Sequence, residues 1–215
     1  MTDARPALAT LALADPPDRW RALGFAVGED GRLTLGGVGI RLGSPGQGIT
    51  GWVVTGAPGL DAALGLVGPE AAPAGPEAAA GPEAAAAPGG GGPAAHPNGA
   101  VGLDHIVVTV PDFDATAAAL EHAGLPFRRV RRASDTVRQG FRRFGPAILE
   151  VVEVSGADAS AFWGLVVIVP DLAALQELAA PHVGAARPAV QPGRHIAPVT
   201  RSAGLSTQLA FIDPE

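Results

Sequence analysis

Two nine-residue stretches 59 residues apart, His105-Ile-Val-Val-Thr-Val-Pro-Asp-Phe113 and Gly164-Leu-Val-Val-Ile-Val-Pro-Asp-Leu172, share five of nine residues. The β-branched runs at 106–110 and 165–169 predict buried strands, each stopped by a proline that has no amide to donate. A helix follows each strand. In the first copy Asp112 or Asp114 caps it, Phe113, Ala117 and Leu120 share one face, and Gly124 ends it. In the second, Asp171 is the cap, Leu172, Leu175 and Leu178 share a face, and Pro181 is the stop. Beyond the helices the pattern becomes extended, predicting strands over 126–132, 136–144 and 146–154, then over about 186–190, 194–200 and 206–213. Each strand-helix-three-strand unit leaves one sheet face bare, so two units bury together what neither buries alone. The expected class is α+β, with tandem βαβββ modules forming a curved mixed-sheet cup.

The first 56 residues read as a shortened, degenerate copy of the unit. A strand at 7–14 precedes Asp15 as a cap and Pro16-Pro17 in the first helical turn, with Trp20 and Leu23 on one face before Gly24. Strands are expected at 24–28, 32–35, 37–43 and 49–55. Between this segment and residue 101 the character changes. Gly-Pro-Glu-Ala-Ala begins at Gly68, Gly75 and Gly81, and the run Gly89–Gly92 follows Pro88. Each Gly-Pro pair interrupts an alanine tract before a helix can propagate. The predicted division is an N-terminal module over 1–56, a low-complexity linker over 57–100 and a paired-module domain over 101–215.

Composition narrows the function classes. The 215 residues are 47% hydrophobic and 17% charged, as in ordinary globular chains, and the net charge of −6 argues against nucleic acid as a partner. The absence of cysteine excludes disulfides, zinc thiolates and thiol nucleophiles. No apolar run reaches the roughly 20 residues of a membrane span, and the N-terminus lacks the pattern of a signal peptide, so a cytoplasmic location is expected. All 15 basic residues are arginine; with the abundant Ala, Gly and Pro this is the codon bias of a GC-rich bacterial genome.

The opening Leu103-Asp-His-Ile-Val-Val108, its run into Val110-Pro-Asp112 and the later Ile148-Leu-Glu-Val-Val152 resemble the vicinal oxygen chelate superfamily. Glyoxalases, extradiol dioxygenases and bleomycin-resistance proteins belong to it, and the likeness is nearest to its bacterial glyoxalase-like proteins of unassigned substrate. The resemblance implies a cup whose floor gathers metal ligands from the first and fourth strands of each unit. In the first unit those positions are His105 and Glu150. In the second they fall on Gly164 and Ala210, neither of which coordinates a metal. Two donors fall short of the three protein ligands of catalytic zinc and the six or more oxygen donors of harder ions. Further donors would have to come from His195, Gln208 or Asp213, from the N-terminal copy or from another subunit. The resemblance thus implies at most one divalent metal ion, at His105 and Glu150.

Read on their own chemistry, the same residues keep two meanings each. His105 is either a ligand-contacting imidazole or one satisfied by the backbone or Asp104. Glu150, between Leu149 and Val151, is a costly buried carboxylate that needs an ion pair, a hydrogen bond, a proton or a role as ligand or base. Seven arginines lie between Arg128 and Arg143; they form a solvated hairpin, or Arg138 or Arg142 turns inward to fork onto a ligand's carboxylate or phosphate. Burial of both Phe141 and Phe144 would require a bulge between them. Gln191-Pro-Gly-Arg194-His195 is a surface turn, or a place where Arg194 binds an anion and His195 moves a proton. Trp163 either packs in the core or lines the ligand beside Gly164, where the missing side chain permits close approach.

The expected function is a glyoxalase-like protein that binds a small oxygenated organic anion between two half-cups. If it is an enzyme, it is a metal-dependent lyase, isomerase or dioxygenase, with Glu150 and His195 as its catalytic groups. The alternative is a metal-free binding protein of the bleomycin-resistance type. A homodimer is expected, because three copies of the unit leave one without an internal mate.

Overall fold

A computed structural model describes residues 5–66, 95–134 and 137–215; the repeated Gly-Pro-Glu-Ala-Ala segment lies outside them. The chain begins with β1 (Ala7–Leu13), α1 (Pro17–Ala22), β2 (Arg32–Leu35), β3 (Val38–Arg41), β4 (Ile49–Thr55) and α2 (Leu60–Leu64). The first C-terminal unit is β5 (Gly102–Val110), α3 (Phe113–His122), β6 (Arg129–Arg132), β7 (Arg138–Phe144) and β8 (Ala147–Glu153). The second is β9 (Ala161–Ile168), α4 (Leu172–Leu178), β10 (Arg187–Pro188), β11 (His195–Pro198) and β12 (Gln208–Ile212), with a short 3-10 turn at Arg201–Ala203 before β12.

Both C-terminal units lie in one mixed eight-stranded sheet of order β10-β11-β12-β9-β5-β8-β7-β6. The two repeated strands meet at its centre, antiparallel, with Ile106 opposite Leu165. Each then pairs in parallel with the last strand of its own unit, β5 with β8 and β9 with β12. The topology is symmetric about the β5/β9 seam, as two copies of one unit require. Asp112 and Asp171 cap α3 and α4 through their carboxylates, accepting from Ala115 N and Ala174 N at 2.9 Å each.

The N-terminal half departs from the single shortened copy expected of it. Its sheet has the order β2-β3-β1-β4; β1 runs parallel to β3, with Leu11 beside Ile40, and antiparallel to β4, with Leu11 opposite Trp52. These are the relations of β5 to β8 and to β9. β4 and α2 are therefore the strand-helix opening of a second N-terminal unit, and α2 lies inside the stretch expected to be linker because Leu60 and Leu64 bury one helical face. The strand expected at 24–28 does not form. Phe25 instead inserts into the core against Trp20, with ring centroids 4.7 Å apart, and against Phe211 at 5.9 Å.

One apolar core joins the two sheets. The face of the large sheet bearing Ile106, Val108, Leu149, Val151, Leu165, Val167 and Phe211 shares it with Leu11, Leu13, Trp20, Leu35 and Ile40. Polar latches fix the docking. The buried Asp15 carboxylate accepts from Ser206 N at 2.6 Å, Ser206 Oγ at 2.8 Å and Thr207 N at 3.2 Å. His96 Nδ1 accepts from Ala26 N at 3.0 Å, so its proton sits on Nε2, which donates to Thr34 O at 2.9 Å. With this core on one face, the opposite face of the large sheet is the cup. Among the described residues no helix is long and apolar enough to cross a membrane.

Candidate functional site

Side chains alternate along a strand, so pairing register decides which residues reach the cup. In β8, Leu149 and Val151 point to the core, while Ile148, Glu150 and Val152 line the cup. The two-residue turn at Gly145-Pro146 pairs Phe144 with Ala147, Arg142 with Leu149 and Phe141 with Glu150, without a bulge. Odd-numbered residues of β7 therefore share the cup with Glu150, and even-numbered ones face the helices. Phe144 is buried in the core and Phe141 is half-buried on the other face.

This parity removes both expected inward arginines from the cup. Arg138 grips Glu153 through two hydrogen bonds of 2.9 Å and Asp114 through one of 2.6 Å, with its guanidinium over the Phe113 ring. Glu153 is the other half of this clamp, which ties β7 and β8 to the start of α3. Its carboxyl is held below the usual range chiefly by the Arg138 hydrogen bonds. Arg142 is buried on the helix side and donates to Pro126 O at 2.6 Å. The arginines on the cup side are Arg129, Arg131 and Arg143, which pair across the hairpins with Phe141, Gln139 and Ile148.

At the floor, a register shift between Leu103 and His105 makes Asp104 an extra residue in β5, so Asp104 and His105 meet instead of pointing to opposite faces. Asp104 Oδ2 lies 2.6 Å from His105 Nδ1, and Asp104 Oδ1 accepts from Arg194 at 2.8 Å. Arg194 is itself buried and donates through Nε to Asp213 O at 2.7 Å. His105 Nε2 faces Glu150 Oε2 at 3.5 Å, and Gln139 donates to Glu150 Oε1 at 2.8 Å. A continuous polar chain thus runs Gln139–Glu150–His105–Asp104–Arg194, bridging the first half-cup to the second. Burial pushes the Glu150 carboxyl up, against the opposing pull of His105 and Arg131. Burial also works to raise Asp104, but the hydrogen bonds from His105 and Arg194 outweigh it and hold that carboxyl below its usual range. Gln139 Oε1 is buried beside Glu150 and has no partner among the described residues.

The second half-cup has no such floor. Gly164 pairs with Val107 and with Gln208, Val166 sits opposite His105, and Ala210 lies beside Val166. A side chain at Gly164 would overlap the Gln208 carbonyl, so the close approach this glycine permits is that of β12 rather than of a ligand. Arg194 is committed to Asp104. His195 is more than half exposed and bonds to Asp213, through its amide at 2.7 Å and through Nδ1 at 3.2 Å. Trp163, the extra residue of a second register shift, is 56% exposed. Of the expected site residues, His105 and Glu150 are brought together, Arg194 joins them through Asp104, and Arg138 and Arg142 are carried to the far face. Gln139 and Arg131 were missed, although the parity fixed by Gly145-Pro146 marks them.

The donor set does not fit a mononuclear metal centre. Among the described residues no group of three or more His, Asp or Glu side chains is placed to hold an ion. His105 and Glu150 are two donors, and Asp104 is engaged on both oxygens. A concavity of about 520 Å³, lined by Trp52, Val53, Ala57, Leu60 and Asp61, lies beside β4.

No known family and no curated protein matches the sequence. Among solved structures, a methylmalonyl-CoA epimerase from Mycobacterium tuberculosis is similar at 18% identity over 54% of this chain and 90% of its own, with a TM-score of 0.45. An epimerase of the same name from Streptomyces coelicolor, in complex with 2-nitronate-propionyl-CoA, is similar at 16% over 52% and 95%, with a TM-score of 0.41. A hypothetical protein from Bacillus halodurans is similar at 17% over 53% and 94%, with a TM-score of 0.42.

Proposed function

We propose that the chain is a small-molecule-binding protein that holds an oxygenated organic anion at the polar half of its cup without a bound metal. The observation that carries this reading is the His105–Glu150 pair. It is held from behind by Asp104 and Gln139, on the sheet face that the core leaves free, with Gln139 Oε1 buried beside it and unpartnered among the described residues. Such an acceptor suits a ligand hydroxyl, while a carboxyl whose pKa burial raises donates, when protonated, to a ligand carboxylate. Arg129, Arg131 and Arg143 give the same face a positive field that draws an anion in. A homodimer in a bacterial cytoplasm belongs to this reading.

A second reading, proton-transfer catalysis, has one observation in its favour. Asp104 fixes His105 through Nδ1 and leaves Nε2 aimed at Glu150, the arrangement that poises an imidazole to exchange a proton. The two donors His105 and Glu150 do not make a metal site among the described residues, so neither reading routes a step through a metal.

Calorimetric titration with malonate and, as an uncharged counterpart, malonamide tests the binding reading. Saturable binding of malonate alone is expected, weakened roughly 10- to 100-fold by Arg131→Ala, the loss of one charged hydrogen bond, and likewise by Glu150→Leu. Heat changes identical in wild type and variants would overturn it. Stoichiometric metal in protein purified without chelator, lost in both His105→Ala and Glu150→Ala, would overturn its metal-free part.

A further inference from the structure

Among the described residues the two sheets have four open edges, and three are blunted. β6 is Arg129-Val-Arg-Arg132, β10 is two residues long and ends in Pro188, and β2 is a four-residue strand opening on Arg32. Charges, proline and shortness are the usual guards against strand addition. β4 has none of these three, and its one irregularity is the register shift against β1 that makes Thr50 an extra residue near its start. Its seven residues, Ile49-Thr-Gly-Trp-Val-Val-Thr55, contain no charge and no proline, and Val53 is 55% exposed. Among the described residues β4 has one strand neighbour, β1.

Comparison with the large sheet shows what this edge lacks. There, each central strand is flanked by the last strand of its own unit, β5 by β8 and β9 by β12. In the small sheet β1 is flanked by β3, while β4, the counterpart of β9, has no such neighbour among the described residues. The sequence that follows α2 is poorly suited to the place. Pro69, Pro73, Pro76, Pro82, Pro88 and Pro93 leave no proline-free run longer than five residues between 67 and 94, whereas a central ladder needs donors.

We propose that β4 is a self-association edge: two copies of the chain pair β4 with β4 antiparallel across a twofold axis. A strand pairing with itself about a twofold is isologous, so one uncharged segment supplies both sides of the ladder. The product is a continuous eight-stranded sheet of order β2-β3-β1-β4-β4-β1-β3-β2, in which each β4 gains a second strand neighbour. The concavity lined by Trp52, Val53, Leu60 and Asp61 borders the same edge, so the partner also covers apolar surface there. This inference rests on the homodimer of the proposed function and names its surface, while its failure leaves the ligand reading standing, since no residue of the polar floor takes part in it.

The test is the solution mass of the full chain by light scattering and sedimentation, at tens of micromolar. The wild type is expected near twice the 21.4 kDa of one chain. Val53→Lys and Val53→Glu each place like charges across the axis and are expected to weaken the dimer at least about 100-fold, while an equimolar mixture of the two restores it as a heterodimer. Val130→Lys, on the guarded β6 edge, is expected to leave the mass unchanged. Restoration by mixing separates a lost interface from a lost fold, and thermal unfolding of each variant checks the same point. A monomeric wild type, a dimer that survives both charge variants, or a mixture that stays monomeric would overturn the proposal, and so would a dimer lost in Val130→Lys.

Discussion

The two halves of the cup share one scaffold and differ in what they put on it. In both, a β-branched strand runs into Pro-Asp, the aspartate caps a helix, and the last strand returns parallel to the first. Yet the first half raises Asp104, His105, Gln139 and Glu150 to its floor, while the second offers Gly164, Val166 and Ala210. The local cause is visible in the strands. β5 spends an extra residue at Asp104, which turns two polar side chains to one side; β9 has a glycine where β12 presses in. Burial of alternate apolar residues maintains the architecture, whereas the opposite face is free to gain or lose polar groups without cost to the core.

Three measurements break or sharpen that contrast. The largest effect is expected from Arg194→Met, because Arg194 is the one contribution of the second half to the polar chain. Its loss leaves the buried Asp104 carboxylate with His105 alone, at a cost of about 3–5 kcal/mol in urea unfolding at neutral pH. Since its partners hold the Asp104 pKa down, that stability is present above the ordinary aspartate range and lost as pH falls through the lowered value. The wild type and Arg194→Met should therefore converge in acid. If the gap is flat with pH, Arg194 acts by packing and not by pairing.

Gly164→Ala comes next. A Cβ there meets the Gln208 carbonyl, and relieving the overlap by moving β12 is expected to cost about 1–3 kcal/mol, as overpacked cores do. An unchanged midpoint would show that the second half is looser than its geometry implies. The smallest effect is that of Glu150→Gln. Burial raises the Glu150 pKa, so its contribution is fully present below the ordinary glutamate range and is lost as pH rises through the raised value. The amide variant should match the wild type near about pH 4 and exceed it modestly near about pH 8. A variant less stable at the higher pH would mean that the ionised carboxylate is the form the site retains.

How much of the site could be read in advance depended on whether local rules fixed orientation. His105 and Glu150 carried their own signal, polar residues set in apolar strands; the offset of 59 residues matched Gly164 to His105, and pairing Leu149 with Leu209 matched Ala210 to Glu150. The arginines did not: their number drew attention to Arg138 and Arg142, but only the register of the Gly145-Pro146 hairpin shows that these face α3 and that Arg131 faces Glu150. The partnership of Arg194 with Asp104, ninety residues apart, had no local signature at all. In the N-terminal half the many glycines blurred the strand register, and the opening of a second unit at β4 and α2 passed for the end of the first.

The sequence by itself determined the repeated unit, its strand and helix periods, its aspartate caps and the apolar stripe that two units share, because these follow from spacing along a single strand or helix. Which face each arginine takes, the bulge that joins Asp104 to His105, and the pairing of β1 with β4 were decided only by tertiary structure. Each is set by contacts between strands distant in the chain, where one residue of slip sends every side chain to the other side.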